Sequence, residues 1–385
     1  MQQEFYRDTW VEVDLDAIVH NVKSMKHHIG ENVEIIAVVK ANGYGHGAVQ
    51  VAKAALEAGA SILAVALLDE ALALRKSGLD VPILVLGATR AENVALAIEN
   101  NITLTVFSVD WLEEAKQYAG MDVVHLHVKL DTGMSRLGVT NADDLASLFK
   151  AVQDSSQFVI TGIYTHFATA DELDLSYFHF QYEKFQELIE GIARDKILVH
   201  CGNSATGLRF PTKLYNAVRL GISMYGLSPS LEIKDELPYT LQEAFSLHTK
   251  LVHVKKIRKG TKVSYGATYE AEEDEWIGTL PIGYADGWIR SLKNSDVIVD
   301  GKRTALVGRI CMDQCMVKLP YELPVGTKVT LIGKQNHEYI PVDEVAKRLD
   351  TINYEVTCTV TSRVPRMFLK NRSIIEVSNP LLTNM

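Results

Sequence analysis

Apolar and polar positions follow two alternating patterns between about residue 34 and residue 226. Short runs of β-branched and other apolar residues predict buried strands, and segments with apolar residues every three or four positions predict amphipathic helices. The predicted strands are 34–39, 62–67, 83–86, 103–107, 123–130, 159–166, 197–201 and 217–222. The predicted helices between them include 48–56, 70–76, 91–99, 112–118, 142–152 and 178–192.

Eight strand–helix units in about 190 residues favour an α/β fold of the closed (β/α)8 TIM type. An open doubly wound sheet usually has fewer strands and begins with a G-x-G-x-x-G phosphate loop. Gly43, Gly45 and Gly47 follow the first strand, but the third glycine is misplaced for that loop. The pattern therefore predicts a barrel.

After about residue 240 the helical period fades, and short β-type runs separated by Gly, Asp and Asn turns replace it. This texture predicts a separate, mostly antiparallel β domain, so we divide the chain into a barrel at 1–240 and a β domain at 241–385. An alternating run at 9–15 precedes a predicted helix at 16–29 and has no place in the barrel. The C-terminal domain offers it a pairing partner. The predicted β runs of that domain are 251–257, 276–280, 296–299, 304–307, 312–319 and 328–332.

Composition narrows the class of protein. A length of 385 residues with 47% hydrophobic and 23% charged residues is typical of a soluble two-domain protein. The net charge of −9 and a basic block confined to residues 255–259 argue against a nucleic-acid partner. No apolar run approaches the ~18 residues of a membrane span. Residues 1–5 lack the features of a signal peptide, so we expect a cytoplasmic protein.

The four cysteines, Cys201, Cys311, Cys315 and Cys358, are too few and too scattered for a disulfide framework. Cys311 and Cys315 would share one face of a strand. A zinc site needs two further ligands. No second pair supplies them, and we therefore expect no metal.

A single lysine, Lys40, ends the first predicted barrel strand. An ammonium group at the end of a buried strand is unfavourable, and desolvation lowers the pKa of such an amine. A lysine of this kind is a nucleophile able to form a Schiff base with a carbonyl. The alternative is an ordinary exposed lysine at a strand end.

Polar residues also end the later strands, where a barrel carries its active site. A lone histidine is commonly a satisfied core residue, and a lone arginine can form a salt bridge. Their occurrence together at one end of the barrel favours an active site. The small residues at 202–204 and 221–223 match the phosphate cradle of this fold, and with a reactive lysine they suggest pyridoxal phosphate. The fifth predicted strand alternates apolar residues with His125, His127, Lys129 and Asp131, which share one face. The polar residues at the ends of the later strands are Tyr164, His166, His200, Ser204 and Arg219.

Residues 37–47, AVVKANGYGHG, resemble the pyridoxal-phosphate attachment signature of the alanine racemases, which are enzymes of fold type III. The resemblance spans nearly the whole chain, in order, across both predicted domains. Further matching blocks are KLDTGMSRLG at 129–138, HCGNS at 200–204, RLG at 219–221, SYG at 264–266, GYADG at 283–287 and GRICMD at 308–313.

The resemblance implies an N-terminal barrel, a C-terminal β domain and a head-to-tail homodimer in which the partner's C-terminal domain completes each site. It implies that Arg219 faces the pyridine nitrogen, and that Arg136 contacts the ring hydroxyl side and the substrate carboxylate. Met312 and Asp313 would belong to the substrate site. The cofactor phosphate would be held by Tyr44, Ser204, Gly221, Ile222 and Tyr354.

By the same resemblance, two bases flank the substrate: Lys40 acts on the D face and the partner's Tyr265 acts on the L face. Because an ordinary phenol is protonated at neutral pH, Tyr265 needs help from His166 and Arg219, with His200 behind them. Lys129 has two interpretations. It is either carbamylated, which makes it an anion that orients Arg136, or an ordinary lysine paired with Asp131.

The implied activity is the interconversion of L-alanine and D-alanine, which supplies peptidoglycan synthesis or serves alanine catabolism. The alternatives are a broad-specificity amino-acid racemase of the same fold and a non-catalytic pyridoxal-phosphate-binding protein. Related decarboxylases of basic amino acids typically carry a glutamate at the ring nitrogen, where this chain has Arg219.

Overall fold

A computed structural model describes residues 5–193 and 196–383. The chain divides into two compact units. The barrel unit consists of Ala17–Gly43 and Ala48–Gln242, and the β unit consists of the residues up to Asp16, of Tyr44–Gly47 and of the residues from Glu243 onward.

Strands and helices in the described residues are numbered in chain order. The strands are β1 Thr9–Asp14, β2 Glu34–Val38, β3 Ile62–Val65, β4 Ile83–Val85, β5 Ile102–Val106, β6 Val124–Lys129, β7 Phe158–Tyr164, β8 Leu198–His200, β9 Ala217–Leu220, β10 Phe245–Lys250, β11 His253–Ile257, β12 Lys262–Val263, β13 Tyr269–Glu270, β14 Glu275–Leu280, β15 Asp296–Val299, β16 Lys302–Val307, β17 Cys315–Leu319, β18 Lys328–Gln335, β19 Glu338–Ile340, β20 Arg366–Lys370 and β21 Ser373–Ser378. The helices are α1 Leu15–Ile29, α2 Lys40–Tyr44, α3 Ala48–Glu57, α4 Leu68–Lys76, α5 Val94–Glu99, α6 Val109–Ala115, α7 Ala142–Gln153, α8 Ser176–Leu188, α9 Ser204–Arg209, α10 Val342–Leu349, α11 Asn353–Thr359 and α12 Pro380–Thr383.

The barrel unit contains eight parallel strands in the order β8-β7-β6-β5-β4-β3-β2-β9. A parallel bridge between Gly202 and Val218 joins the two ends of this sheet. The strands are rich in Val, Ile and Leu because helices and the barrel interior cover both of their faces. The predicted (β/α)8 barrel is confirmed, and each predicted strand lies within a few residues of an observed one.

The segment that follows β2 has an unusual backbone. α2 is a left-handed turn in which Ala41, Asn42 and Gly43 have φ of 52°, 52° and 60°. Side chains other than glycine disfavour this conformation by about 1–2 kcal/mol per residue, so the surroundings must enforce it. Two contacts do so: the Ala41 N–H donates to Glu70 at 2.6 Å, and Asn42 Oδ1 accepts from the Ala48 N–H at 3.0 Å.

The β unit is built on a sheet with the order β11-β14-β17-β16-β15-β18-β10-β1-β20-β21. In it β1 pairs with β10 in antiparallel orientation and with β20 in parallel orientation. The predicted run 251–257 corresponds to β11, which begins at His253 and pairs with β14, whereas the preceding strand β10 was not predicted. The two helices α10 and α11 lie between β19 and β20 and were not predicted.

The predicted strand 312–319 begins only at Cys315, so Cys311 and Cys315 do not share a strand face. All four cysteines are free thiols. Among the described residues, no helix combines the length and apolar character needed to cross a membrane.

Candidate active site

A buried arginine organises the C-terminal end of the barrel. Arg219 lies on β9 with only 4% of its surface exposed, and its two terminal nitrogens donate only to neutral acceptors. Burial lowers the pKa of Arg219 to about 10, so the guanidinium stays charged at neutral pH. Its acceptors are the carbonyls of His200 (2.7 Å), Thr165 (2.7 Å) and Cys201 (3.2 Å) and the Nδ1 atoms of His200 (3.0 Å) and His166 (3.2 Å).

The arginine determines the protonation of both histidines. Since a guanidinium can only donate, Nδ1 of His166 and Nδ1 of His200 must accept, and each ring carries its proton on Nε2. Desolvation and the charge of Arg219 hold the pKa of both imidazoles well below its ordinary value. Both rings are therefore neutral donors at their Nε2 atoms. His200 is fully buried, whereas His166 is partly exposed.

Tyr164 forms one wall of this centre. Its ring stacks on the ring of His200 with a centroid distance of 4.7 Å, and its hydroxyl lies 2.8 Å from Thr105 Oγ1. Burial raises the pKa of Tyr164 to about 12. The Arg219 guanidinium lies 5.3 Å from the centre of the same ring, so this neutral phenol is a packing and cation–π partner.

Lys129 is a buried lysine beside the arginine centre. Its Nζ donates to the Leu130 carbonyl at 2.8 Å and lies 5.2 Å from the Tyr164 ring centroid. Desolvation first, and then the charge of Arg219, lower the pKa of Lys129 to about 7. A substantial fraction of this amine is therefore uncharged at neutral pH.

The loop after β6 presents Arg136 to solvent. Asp131 shapes this loop, because its Oδ1 accepts the N–H groups of Gly133 at 2.9 Å and of Ser135 at 3.0 Å. The Tyr177 hydroxyl on α8 donates to the Gly133 carbonyl at 2.8 Å. Asp131 is thus engaged by its own loop, and Arg136 extends from a segment held at both sides.

Small residues after β8 and β9 form a cradle for an anion. Ser204 Oγ accepts the Gly221 N–H at 2.9 Å, and the Ser223 N–H lies 3.5 Å from the same oxygen. Gly221 begins a short turn that continues through Ile222. The Ser223 hydroxyl is buried and has no hydrogen-bond partner in the part of the chain that the structure describes. Such an unpaired buried hydroxyl is unfavourable unless a ligand satisfies it.

Lys40 is half-buried and begins α2 just after β2, which pairs with β9. The charges of Arg219, Lys129, Arg136 and Lys40 all lower the pKa of His166. The barrel unit therefore brings these predicted residues into one electrostatic centre.

The β unit holds the remaining predicted residues. The rings of Tyr44 and Tyr354 lie 6.0 Å apart, and burial raises the pKa of Tyr44. Tyr265 and Met312 are large apolar side chains with 71% and 53% of their surfaces exposed. Asp313 is exposed and paired with Arg363 at 2.8 Å.

Two buried side chains support the centre in a role that the sequence did not predict. His127 was recognised only as one of several polar residues on β6, but its Nδ1 lies 2.9 Å from His200 Nε2. Gln181 on α8 contacts the loops after both β6 and β7. No local signal marks Gln181, because its partners are distant in sequence. His125, predicted on the same face as His127, is exposed near the start of β6.

Fold and site together define a barrel enzyme with a lysine and a buried cationic centre at the C-terminal ends of its strands. Residues 13–229 match the family described as "Alanine racemase, N-terminal domain", and residues 244–368 match "Alanine racemase, C-terminal domain".

Similar proteins carry the same description over their full lengths. An alanine racemase of Anoxybacillus flavithermus is 61% identical over 385 residues, which cover 99% of this chain and 100% of the relative. Alanine racemase 1 of Bacillus subtilis is 58% identical over 378 residues, which cover 98% of this chain and 97% of the relative. The crystal structure of alanine racemase from Bacillus anthracis with bound L-Ala-P has a TM-score of 0.96 and 50% identity and covers 100% of both chains.

The chain therefore belongs to the alanine racemase family. It is an isomerase that interconverts L-alanine and D-alanine, as the resemblance implied. The alanine racemases are pyridoxal-phosphate enzymes.

Proposed function

We propose that this chain racemises alanine with pyridoxal phosphate bound at the mouth of the barrel unit, using Lys40 as anchor and base and Tyr265 of a second copy as the opposite base. The observation that carries the proposal is the buried Arg219 centre, a permanent cation on the same sheet end as Lys40.

The residues present fit the cofactor. Both terminal nitrogens of Arg219 already donate to acceptors, whereas its Nε–H has no acceptor among the described residues. This remaining donor suits a pyridine nitrogen. The unpaired Ser223 hydroxyl beside Ser204, Gly221 and Ile222 suits a phosphate oxygen. We assign Tyr44 and Tyr354 to the same phosphate. When bound, the cofactor supplies a conjugated ring that delocalises the electron pair left at Cα.

Arg219 limits how much charge the ring accepts. Even with its pKa at about 10, the guanidinium does not release a proton at neutral pH. It therefore donates a hydrogen bond to a ring nitrogen without protonating it. A carboxylate at this position would favour the protonated ring and the side reactions of a stronger electron sink.

The two bases act on opposite faces of the substrate. Lys40 transfers the Cα proton on the D face of the substrate, and Tyr265 transfers the Cα proton on the L face. His166 supports Tyr265, because its Nε2–H is a neutral donor that stabilises a phenolate oxygen. His200 supports Arg219 by accepting a hydrogen bond from its guanidinium. Because Tyr265 acts in the site of the other copy, this large aromatic side chain remains 71% exposed in a single copy.

Arg136 binds the substrate carboxylate and contacts the cofactor ring on the side that carries its hydroxyl group. Met312 and Asp313 of the second copy limit the space for the substrate side chain. We propose that Lys129 is carbamylated and orients Arg136. Its lowered pKa supports this choice over the alternative pair with Asp131, because only an uncharged amine reacts with carbon dioxide. The engagement of Asp131 by its own loop supports the same choice.

We also propose a head-to-tail homodimer with shared sites and a cytoplasmic location, which four free thiols support. D-alanine for peptidoglycan is the proposed use of the product, with alanine catabolism as the second candidate. A broad-specificity racemase remains the alternative for the substrate, and a non-catalytic pyridoxal-phosphate protein the less favoured one.

The substrate assignment is tested by measuring D/L interconversion of alanine, serine and lysine, with Lys40→Ala as the control. We expect alanine to be the preferred substrate and the Lys40→Ala variant to be inactive. Equal rates on all three amino acids would favour the broad-specificity enzyme.

The shared site is tested by mixing two variants. Lys40→Ala and Tyr265→Phe homodimers each lack one base in every site, but a mixed dimer has one site with both. Since half of the dimers mix and half of their sites are intact, denaturing and refolding the two together should restore about a quarter of wild-type activity. No recovery, with mixed dimers demonstrated by differential tags, would contradict sharing.

A further inference from the structure

His127 is a buried titratable residue to which the reaction assigns no role. It lies on β6 with 6% of its surface exposed, two residues before Lys129. Its ring occupies space left by a glycine on the neighbouring strand, because a Cβ atom at Gly162 would lie 2.6 Å from Nδ1 of His127. The ring is thereby brought to 2.9 Å from Nε2 of His200.

The hydrogen bonds from His127 to Arg219 permit one arrangement of protons. Arg219 Nη1 only donates, so Nδ1 of His200 accepts at 3.0 Å and the proton of the neutral ring is on Nε2. That proton is donated to Nδ1 of His127. A proton on Nδ1 of His127 would oppose it, and moving the His200 proton to Nδ1 would oppose the guanidinium.

We propose that His127 is a positioning residue for Arg219, which it holds in place by fixing His200 as the Nε2–H tautomer with its Nδ1 lone pair on the guanidinium. His127 touches neither substrate nor cofactor and acts through His200. The inference rests on the proposed role of Arg219 toward the cofactor. The fold surrounding His127 agrees with it, because burial and the charge of Arg219 lower the pKa of His127 to about 3 and keep the ring neutral.

Two substitutions separate the hydrogen bond from packing. Asn places its Oδ1 close to the position of the histidine Nδ1 and preserves an acceptor, whereas Leu fills the space without one. We expect His127→Leu to lower kcat for alanine about tenfold with KM changed less than about twofold, because a buried donor is left unpaired next to the centre. We expect His127→Asn to recover most of this loss.

The second readout is independent of activity. In protein labelled with ¹⁵N at histidine, with the His200 signals assigned from a His200→Gln variant, wild type should show His200 protonated at Nε2 and unprotonated at Nδ1. His127→Asn should preserve this pattern, and His127→Leu should shift His200 toward a mixture of tautomers. Should His127→Leu not fold, Gly162→Ala displaces the same ring and is expected to change the His200 signals in the same direction.

Unchanged His200 signals in the variant without an acceptor would overturn the proposal, whatever happens to kcat. Equal losses of kcat in the Leu and Asn variants would also overturn it, since the acceptor preserved by Asn would then make no difference and packing alone would explain the losses. A wild-type protein that does not racemise alanine would contradict the proposed function and would leave the tautomer measurement intact.

Discussion

The Nη2 atom of Arg219 lies 3.2 Å from Nδ1 of His166. One nitrogen of that imidazole is thereby committed to the arginine, and the other, Nε2, is left as a neutral N–H donor on a partly exposed ring. The same guanidinium commits His200 on its other side. A single fixed cation thus determines the donor pattern of two histidines, and it does so without an ion-paired carboxylate among the described residues.

Arg219→Glu should change the outcome of the reaction as well as its rate. A carboxylic acid at this position can share a proton with the pyridine nitrogen, which makes the ring a stronger electron sink. We expect racemisation of alanine to fall by at least about 100-fold, of the order of the ~3 kcal/mol lost with a buried charged donor, while pyruvate release by transamination rises. The measurement is the ratio of D-alanine to pyruvate formed from L-alanine.

Arg219→Lys is the control for the loss of the guanidinium hydrogen bonds. It keeps a cation, so it should slow racemisation without raising the share of pyruvate. An unchanged product ratio in Arg219→Glu would contradict the role given to the arginine.

Acidification should destabilise the barrel unit below pH 6.5 through His127, His166 and His200. Their pKa values in the folded state are lowered, to about 3 for His127 and well below the ordinary value for His166 and His200. Between pH 6.5 and 5 the unfolded chain therefore binds protons that the folded chain does not, and the free energy of unfolding falls as pH falls. Each histidine contributes up to about 1.4 kcal/mol per pH unit.

Urea unfolding at pH 7 and pH 5.5, followed by a barrel-unit signal, measures this slope. Glu12 does not interfere, because its pKa is lowered to about 2 and its contribution is lost only below about pH 4.5. His127→Asn should remove one histidine's share of the slope. A stability that does not depend on pH over this interval would show that the three rings are not held neutral.

Local patterns in the sequence were sufficient to predict the barrel and the strand-end residues. Each β/α unit has its own period, and Lys40, Lys129, His200 and Arg219 stand at the ends of apolar runs. The left-handed turn after Lys40 was not predicted, because it depends on Glu70, 29 residues away from Ala41. In the β unit the strand pairing joins distant segments, so the pattern could assign 9–15 to the C-terminal domain but could not single out β10 and β20 as the partners of β1.

The buried side chains that support the site were the hardest features to predict from the sequence. Gln181 is a polar residue on an otherwise ordinary amphipathic helix, and its role becomes visible only when α8 lies against two loops. His127 was seen as polar on β6, but nothing in the sequence shows that Gly162 makes room for its ring. Both depend on packing between elements, which periodicity does not report.

Lys129 should carry a carbamate in the folded protein. Because its pKa is lowered to about 7, the free amine needed for addition of carbon dioxide is available at neutral pH. Protein equilibrated with ¹³C-labelled bicarbonate should show one carbamate carbon resonance per chain that is missing from Lys129→Ala. Electron density that ends at Nζ in crystals grown at pH 8 would favour the unmodified lysine.

Gln181→Leu should loosen the two loops that carry Arg136 and His166. The Gln181 side chain accepts the Ala168 N–H at 2.8 Å and donates to the His166 carbonyl at 3.3 Å and to Thr132 Oγ1 at 3.5 Å. Loss of these buried hydrogen bonds should lower the free energy of unfolding by about 1–3 kcal/mol. Because Arg136 holds the substrate carboxylate in our proposal, KM for alanine should rise several-fold.

Gln186→Leu makes the same substitution on an exposed position of the same helix and should change neither quantity. If both variants raise KM equally, the effect belongs to helix α8 as a whole and not to the contacts of Gln181.

Arg366→Met should destabilise the β unit far more than the loss of an ordinary arginine. Arg366 is 3% exposed, and burial lowers its pKa to about 10. It donates to four carbonyls: Gly45 at 3.1 Å, and Thr361, Val364 and Val360 at 2.6 Å each. Gly45 belongs to the segment that follows Lys40, so this arginine fixes that segment within the β unit.

Arg303→Met is the matched control, because Arg303 pairs with Glu338 at 3.2 Å and Glu344 at 2.7 Å while 32% of its side chain remains exposed. Ion pairs of this kind contribute up to about 1 kcal/mol. Arg366→Met leaves buried carbonyls without donors and should lower the free energy of unfolding by about 2–4 kcal/mol in urea titrations. If the two variants lose the same amount, the carbonyl contacts of Arg366 do not stabilise the fold. In that case the loop that follows Lys40 must be held by other groups, of which the close approach of Gly45 to the Thr357 carbonyl is the next to test, with Gly45→Ala.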